Sequence, residues 1–382
     1  MRLKVRFPKV DPNRHELPDT CPYGCGGQAY RRHGTKGERK SLRDVGYDEV
    51  VSYRYTCEQC GRTFRVYPQG VSKGAQQSRR LRAMTVLLYV LGLSYGAVED
   101  FVNALGCGVG KTTVYNNVQA AGQEARRKQQ ACVQQGGKRA VIGADGTFVK
   151  VKGESVGIEV VVDDRTGELL GLDIITSENH EEVRQVIQEV ADAVEPEVLV
   201  TDEHGAYTEV ADELGLDRQI CRSHVKRNVD DIADSLNKHL AHPEPLPDGV
   251  ELTPEQVQED LAEMQCLVRE RPPDGEEQLA QVYDRYKDVP KPKNRQRHSV
   301  WYRMRMAVTR LWLHWWDLTL DQRRDDLDGT NNACERLIGW WIKERYRTMR
   351  GYKRTGSIRN VVTLTALIGA CPGYYDLAAL VA

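Results

Sequence analysis

The segment Arg139–Lys152, RAVIGADGTFVKVK, constrains this chain more than any other. Its branched and aromatic residues read as a strand, yet Asp145 stands in its middle, flanked by apolar residues and close to Gly143 and Gly146. A carboxylate inside a buried strand is costly unless its charge is compensated. A metal ion supplies that compensation. Two later acids, Asp202 and Glu335, sit in settings that complete such a site.

The pattern around Asp145 predicts strands over Ala140–Val151, Glu154–Val162 and Glu168–Ile175, with a turn at Asp163–Gly167. A helix over Glu181–Val194 follows, then a short buried strand, Glu197–Val200, ending near Asp202. A helix over Ala206–Leu214 and a strand over Arg218–Ile220 complete the order. Strand-strand-strand-helix-strand-helix-strand-helix is the order of an RNase H-like fold, a mixed α/β sheet. In it the strands of Asp145 and Asp202 are neighbours, and both carboxylates face one end of the sheet. The third acid comes from DGTNNACERLIGWWIKERYRTMRGYKR, where Thr330 or Asn331 caps a helix and Glu335 lies in its first turns. Arg336–Arg359 holds eight Lys/Arg and one acid, Glu344, which reads as a surface ion-pair member. Three carboxylates suit Mg²⁺ or Mn²⁺, with two ions about 4 Å apart sharing a bridging ligand.

The N-terminal part reads differently. Cys21-x3-Cys25 and Cys57-x2-Cys60 are separated by 31 residues, and Gly26 and Gly61 follow the second cysteine of each pair. Paired thiols on glycine-relieved turns predict a tetrahedral zinc site, and the flanking strands resemble a zinc ribbon over residues 1–72. The remaining six cysteines are scattered singly, which argues against a disulfide framework. Charge is segregated: residues 1–82 carry 18 Lys/Arg against 8 Asp/Glu, and residues 230–290 carry 5 against 16. The basic block predicts a polyanion partner, with Arg31, Arg32, Lys36, Arg39 and Lys40 at phosphates. A purely structural zinc site is the alternative.

Residues 75–130 predict helices at Arg79–Leu93, after Ser94, and from Thr112, the last two joined by a Gly106–Gly110 turn. They resemble a helix-turn-helix, with Lys111, Thr112, Tyr115, Asn116 and Gln119 presented to DNA. A packing role is the alternative. GVGKTT imitates a phosphate loop, but Leu105 stands where the first glycine belongs and a helix precedes it.

Between the second and third acids lies an all-α insertion, residues 229–325, broken by proline-rich loops. Arg295 and Arg297, in a basic linker, together with Arg303 and Arg305, are candidate phosphate contacts. Val300–Leu318 predicts one long helix with Trp312, Trp315 and Trp316 on one face, as core or as a stacking surface.

Asp145 in IGADGTF, Asp202 in VTDEHGAY, Cys221-Arg-Ser-His224, and Glu335 in TNNACER followed by MRGYK together resemble a DDE transposase of a prokaryotic insertion sequence. The Cys-x2-His placement and the helical insertion are similar to the Mutator-like superfamily and its bacterial relatives. The resemblance covers nearly the whole chain. It implies an RNase H-like core in two parts, residues 138–228 and 326–382, performing metal-dependent DNA cleavage at element ends and strand transfer. It implies a catalytic triad of Asp145, Asp202 and Glu335, and a role near it for His224. Zinc ligation and core packing are the other readings of Cys221 and His224. Arg336, Lys343, Arg347, Arg350 and Lys353 would meet phosphate. The implied partners are double-stranded DNA, as terminal inverted repeats and target, and further copies of the chain. A cytoplasmic, nucleoid-associated protein is expected: no apolar run is long enough to span a bilayer and no secretory signal opens the chain. A catalytically inactive DNA-binding descendant and an RNase H-like nuclease without strand transfer are the competing functions.

Overall fold

The computed structural model describes residues 3–240, 251–292, 299–349, 352, 354–371 and 373–381. Its N-terminal part is built from short strands. β1 (Val5–Arg6) pairs in parallel with a strand near the C-terminus. β2 (Asp11–His15) pairs with β7 (Pro68–Gln69). Between them, β5 (Glu49–Cys57) is the spine on which β3 (Tyr30–Arg32), β4 (Glu38–Ser41) and β6 (Thr63–Val66) all pair antiparallel. The apolar cluster here is small, with Val10, Leu42, Val50 and Val71 at its centre. So small a core calls for a staple, which a metal ion held by the two cysteine pairs would provide.

Three helices follow: α1 (Arg79–Val90), α2 (Tyr95–Ala104) and α3 (Lys111–Gln135). Ser78 and Ser94 cap the first two through their side chains. The third is 25 residues long, not the short recognition helix expected from the glycine turn. Its buried face, including Val114, Val118, Ala121 and Ala125, packs on the C-terminal helix α13 (Thr355–Ala370). Gly122 permits this approach, since a Cβ there would lie 2.6 Å from the Asn360 carbonyl oxygen. The helices therefore share one apolar cluster with the sheet and the C-terminal segment.

The central sheet has β8 (Val141–Val151), β9 (Glu154–Asp163), β10 (Leu169–Ile175), β11 (Val198–Thr201) and β12 (Asp217–Ile220). Their spatial order is β10-β9-β8-β11-β12. β9 is antiparallel to both of its neighbours, while β8, β11 and β12 run parallel. The period-two alternation divides the faces. Val160 and Val162 face the cluster containing α3 and α13. Ile142, Ala144 and Val161 face α4 (His180–Val194) and α5 (Gly205–Leu214).

α6 (Arg222–Leu240) leads from the sheet into a second apolar core with α7 (Pro254–Glu270), α8 (Gly275–Tyr286) and α9 (Val300–Leu313). The helix expected over Val300–Leu318 breaks at His314, and α10 (Trp315–Leu318) starts anew. The three tryptophans consequently do not share a face. Trp315 is buried, Trp312 stacks on Tyr283 with centroids 5.1 Å apart, and Trp316 is exposed beneath the Arg323 guanidinium. The chain returns through α11 (Asn332–Leu337), a π-helical turn over Ile338–Lys343, and α12 (Glu344–Met349). α13 and β13 (Tyr375–Asp376), the partner of β1, complete the fold.

Candidate active site

Asp145 and Asp202 are brought together by strand register. β8 and β11 are parallel, with Gly143 opposite Val200. Each acid lies two residues beyond that pair, Asp145 still on β8 and Asp202 one residue past the end of β11. Asp145 lies opposite Val160 on β9 and so points to the face covered by α11. Asp202 Oδ1 accepts the His204 N–H at 2.8 Å, which orders the turn into α5.

Glu335 arrives on α11, and Asn331 docks that helix. As expected, Asn331 stands at the N-cap of that helix, but its side chain makes no capping hydrogen bond, and Thr330 donates its hydroxyl to Asp328. Fully buried Asn331 instead donates from Nδ2 to the Ala144 carbonyl at 2.8 Å. Its backbone N–H donates to Cys221 Sγ at 3.3 Å. Gly143 leaves room for this side chain, since a Cβ there would sit 2.7 Å from Asn331 Oδ1.

His224, in the first turn of α6, places Nδ1 3.4 Å from Glu335 Oε1. Neither atom has a hydrogen-bond partner among the described residues. Cys221, His224 and Glu335 offer ligand atoms within 4.8 Å of one another. The buried Cys221 thiol beside His224 pushes its imidazole up to about 9, against the opposing effect of burial. The cysteine is itself held below its ordinary value, because His224 and the Asn331 N–H outweigh burial.

Burial and then the Asp202 carboxylate push Asp145 up to about 7, with His224 and Lys343 opposing. Crowded acids of this kind could hold a cation, since a divalent ion relieves the repulsion. Glu335 Oε1, which accepts no hydrogen bond among the described residues and faces His224, offers a further oxygen donor. Hard oxygen donors suit Mg²⁺ or Mn²⁺.

Two further acids escaped the sequence reading. Glu159 on β9 is fully buried on the opposite face from Asp145, where Tyr207 of α5 donates its hydroxyl to the carboxyl at 3.0 and 3.2 Å. Burial raises it well above the carboxylate range. Glu178, before α4, packs against Gly146, and burial raises it too. The apolar residues around Glu159 hinted at its burial, but Glu178 lies in a polar run, and nothing local indicated proximity to Asp145.

The four cysteines of the N-terminal part converge. Cys21 and Cys60 sulfurs are 3.8 Å apart, Cys25 and Cys57 3.6 Å, and all four lie within 4.8 Å. Zn–S bonds of about 2.3 Å in a tetrahedron give sulfur separations of about 3.8 Å, so the donors fit Zn²⁺. Arg31, Arg32, Lys36 and Arg39 are exposed, Arg39 in an ion pair with Glu49. Lys40 is not free: it lies over the Tyr67 ring and donates to the Ser72 carbonyl.

Of the expected recognition residues, Lys111, Thr112 and Asn116 are exposed. Tyr115 and Gln119 are half-buried against α13, meeting Ser357 at 3.1 Å and Asn360 at 3.0 Å. Arg336, Lys343 and Arg347 are exposed on the run that carries Glu335, and Glu344 pairs with Arg347 as expected. Arg303 and Arg305 are committed to Ser235 and the Val289 carbonyl. Arg295, Arg297, Arg350 and Lys353 lie outside the described residues. Among the described residues no helix is long and apolar enough to cross a membrane.

A family model described as "Transposase IS66 family" matches residues 74–348, well over half of the chain. No curated protein matches. Similar solved structures include the HTLV-2 integrase catalytic core domain in complex with magnesium, in dimeric and trimeric forms. Both are 18% identical with a TM-score of 0.20, covering 32% of this chain and 83% and 82% of those chains.

Proposed function

The chain belongs to the transposase IS66 family, and from that membership we propose that it is a DDE transposase with an RNase H-like core. It cleaves DNA at element ends and transfers the freed strand to target DNA. The observation that carries this reading is the placement of Asp145 on β8, Asp202 just past the end of the adjacent β11, and the Glu335 helix tied by Asn331 to the Ala144 carbonyl beside Asp145.

Asp145, Asp202 and Glu335 would hold two Mg²⁺ or Mn²⁺ ions. Such ions, when bound, stabilise charge on the attacking and leaving oxygens of an in-line displacement. The residues of the chain orient and neutralise. His224 sets the rotamer of Glu335 and brings positive charge to the acid cluster. Arg336, Lys343 and Arg347 bind the phosphates flanking the reacting one, and Arg350 and Lys353 extend the same basic run. Arg31, Arg32, Lys36 and Arg39 hold the duplex at a zinc-stapled N-terminal module, and Lys111, Thr112 and Asn116 add contacts at the start of α3. Joining two element ends calls for two or more copies of the chain.

Incubation with Mg²⁺ or Mn²⁺ and candidate terminal-repeat DNA tests the reading. Cleavage and joining are expected, and Asp145→Asn, Asp202→Asn and Glu335→Gln should each lower both by roughly a thousandfold while DNA binding persists. Cleavage without joining would indicate a nuclease. Specific binding without cleavage would indicate a DNA-binding descendant. Cleavage that survives Asp145→Asn sinks the triad.

A further inference from the structure

A cavity of about 610 Å³ lies between the N-terminal ends of α2 and α3 and the segment that follows the Glu335 helix. It is separate from the three carboxylates: neither Asp145, Asp202 nor Glu335 lines it, and no acid among the described residues does. Its walls combine two chemistries. Tyr89, Tyr95, Tyr115 and Tyr352 supply aromatic surface, and Lys111 and Arg354 supply positive charge, while the terminal nitrogens of Arg345 are held by the Gly92 and Leu93 carbonyls and the Thr348 hydroxyl. The Arg345 guanidinium lies 4.1 Å from the Tyr89 ring centroid and that of Arg354 5.5 Å from Tyr115.

Two observations point independently to a ligand. The GVGKTT segment, which lacks the features of a nucleotide loop, nonetheless brings Lys111 and Thr112 to the cavity at the start of α3. Gly110 caps that helix without a side-chain hydrogen bond, so the helix presents amides and the positive end of its dipole. Separately, the Tyr352 hydroxyl and Arg345 Nε have no hydrogen-bond partner among the described residues, although these side chains are only 3% and 4% exposed. Buried polar groups are rarely left so.

We propose that the cavity receives one unpaired nucleotide of the DNA substrate, its base against the tyrosines and its phosphate at Lys111, Arg354 and the start of α3. This rests on the DNA-processing reading above. The space exceeds that needed by a lone oxyanion, and the aromatic wall suits a base. Tyr115 is bonded to Ser357, so this part of α3 is enclosed by the C-terminal segment and cannot lie flat in a major groove. A strand source is favoured over a free nucleotide by position. Arg345 is ten residues beyond Glu335 on one helical run, about 15 Å along its axis. A strand held at the carboxylates reaches that far.

The test is a fluorescence titration of the full chain in EDTA. The probes are a blunt duplex of about 20 base pairs, the same duplex with a short overhang carrying 2-aminopurine, and dAMP. The overhang duplex should bind about tenfold more tightly than the blunt one, with quenching of the probe. Lys111→Ala and Arg354→Ala, both at exposed side chains, should bring the ratio of the two affinities toward one, with melting temperatures like the parent's. Equal affinity for the two duplexes, or quenching that survives both substitutions, overturns the proposal. Competition by dAMP at matched concentration overturns the strand assignment in favour of a free nucleotide. Because no metal is present, failure here leaves the carboxylate reading standing, and loss of the cleavage reading leaves this binding result intact.

Discussion

Asn331 Nδ2 donates to the carbonyl oxygen of Ala144 at 2.8 Å, one residue before Asp145 and four before Glu335. A single side chain thus ties the strand bearing the first acid to the helix bearing the third. The two are separated by 190 residues of chain, which include the whole insertion. The Asn331 side chain thereby docks the Glu335 helix on the sheet.

Replacing Asn331 by alanine removes that tie and orphans a buried carbonyl. Asn331→Ala should lower stability by about 1–3 kcal/mol in denaturant unfolding. It should also slow Mg²⁺-dependent cleavage by about tenfold or more, since catalysis tolerates little misplacement of a ligand. An unchanged cleavage rate would show that the helix is positioned by other contacts.

Glu159 gives a pH prediction. Burial raises its folded pKa well above the ordinary glutamate value of 4.5, so the folded state keeps the proton while the unfolded state loses it. The folded state then binds more protons, and this group's contribution to stability falls as pH rises above about 4.5. Glu159→Gln keeps the shape and carries no charge. Its stability relative to the parent should rise between pH 4.5 and 8, measured by urea unfolding in EDTA. A difference that stays flat or moves the other way contradicts a neutral Glu159.

Zinc at the four cysteines would have a structural consequence. With so small an apolar cluster, the N-terminal module should lose its fold when a strong chelator removes the metal. Metal analysis should find one zinc per chain at this site, and Cys60→Ser should abolish it. Chelation that leaves the circular dichroism and the duplex affinity unchanged would separate the cysteines from both fold and binding.

Asp44 joins the N-terminal module to α1. It accepts from the Ser78 hydroxyl, from Arg80 and from the Gly46 N–H. Burial pushes its carboxyl up, but these donors outweigh burial and hold it below the usual range. Its stabilising contribution is therefore present above the unfolded pKa of about 3.9 and is lost as pH falls through the lower folded value. Asp44→Asn should cost about 2–4 kcal/mol at neutral pH. The deficit should shrink below pH 4, in thermal melts over that range. An equal deficit at pH 7 and pH 3 would rule out the charged contact as its source.

Much of this protein was legible in its sequence because the signals are local. Alternation gave the strands of the sheet to within a residue or two. The cysteine spacing gave a four-sulfur cluster, and a serine cap located α2. Asp145 was marked by being the wrong residue for a buried strand. What the tertiary structure decided is which long-range partner each polar group takes. Asn331 reads as a helix cap until β8 offers a carbonyl, and Lys40 reads as a phosphate contact until Tyr67 and Ser72 engage it. Tyr115 and Gln119 read as base-contacting until α13 covers them, and Glu159 has no visible role until Tyr207 meets it across the sheet. Periodicity reports which face of an element is buried. It does not report what lies on the other side, and there the hydrogen-bonding demands of buried polar atoms select the contacts.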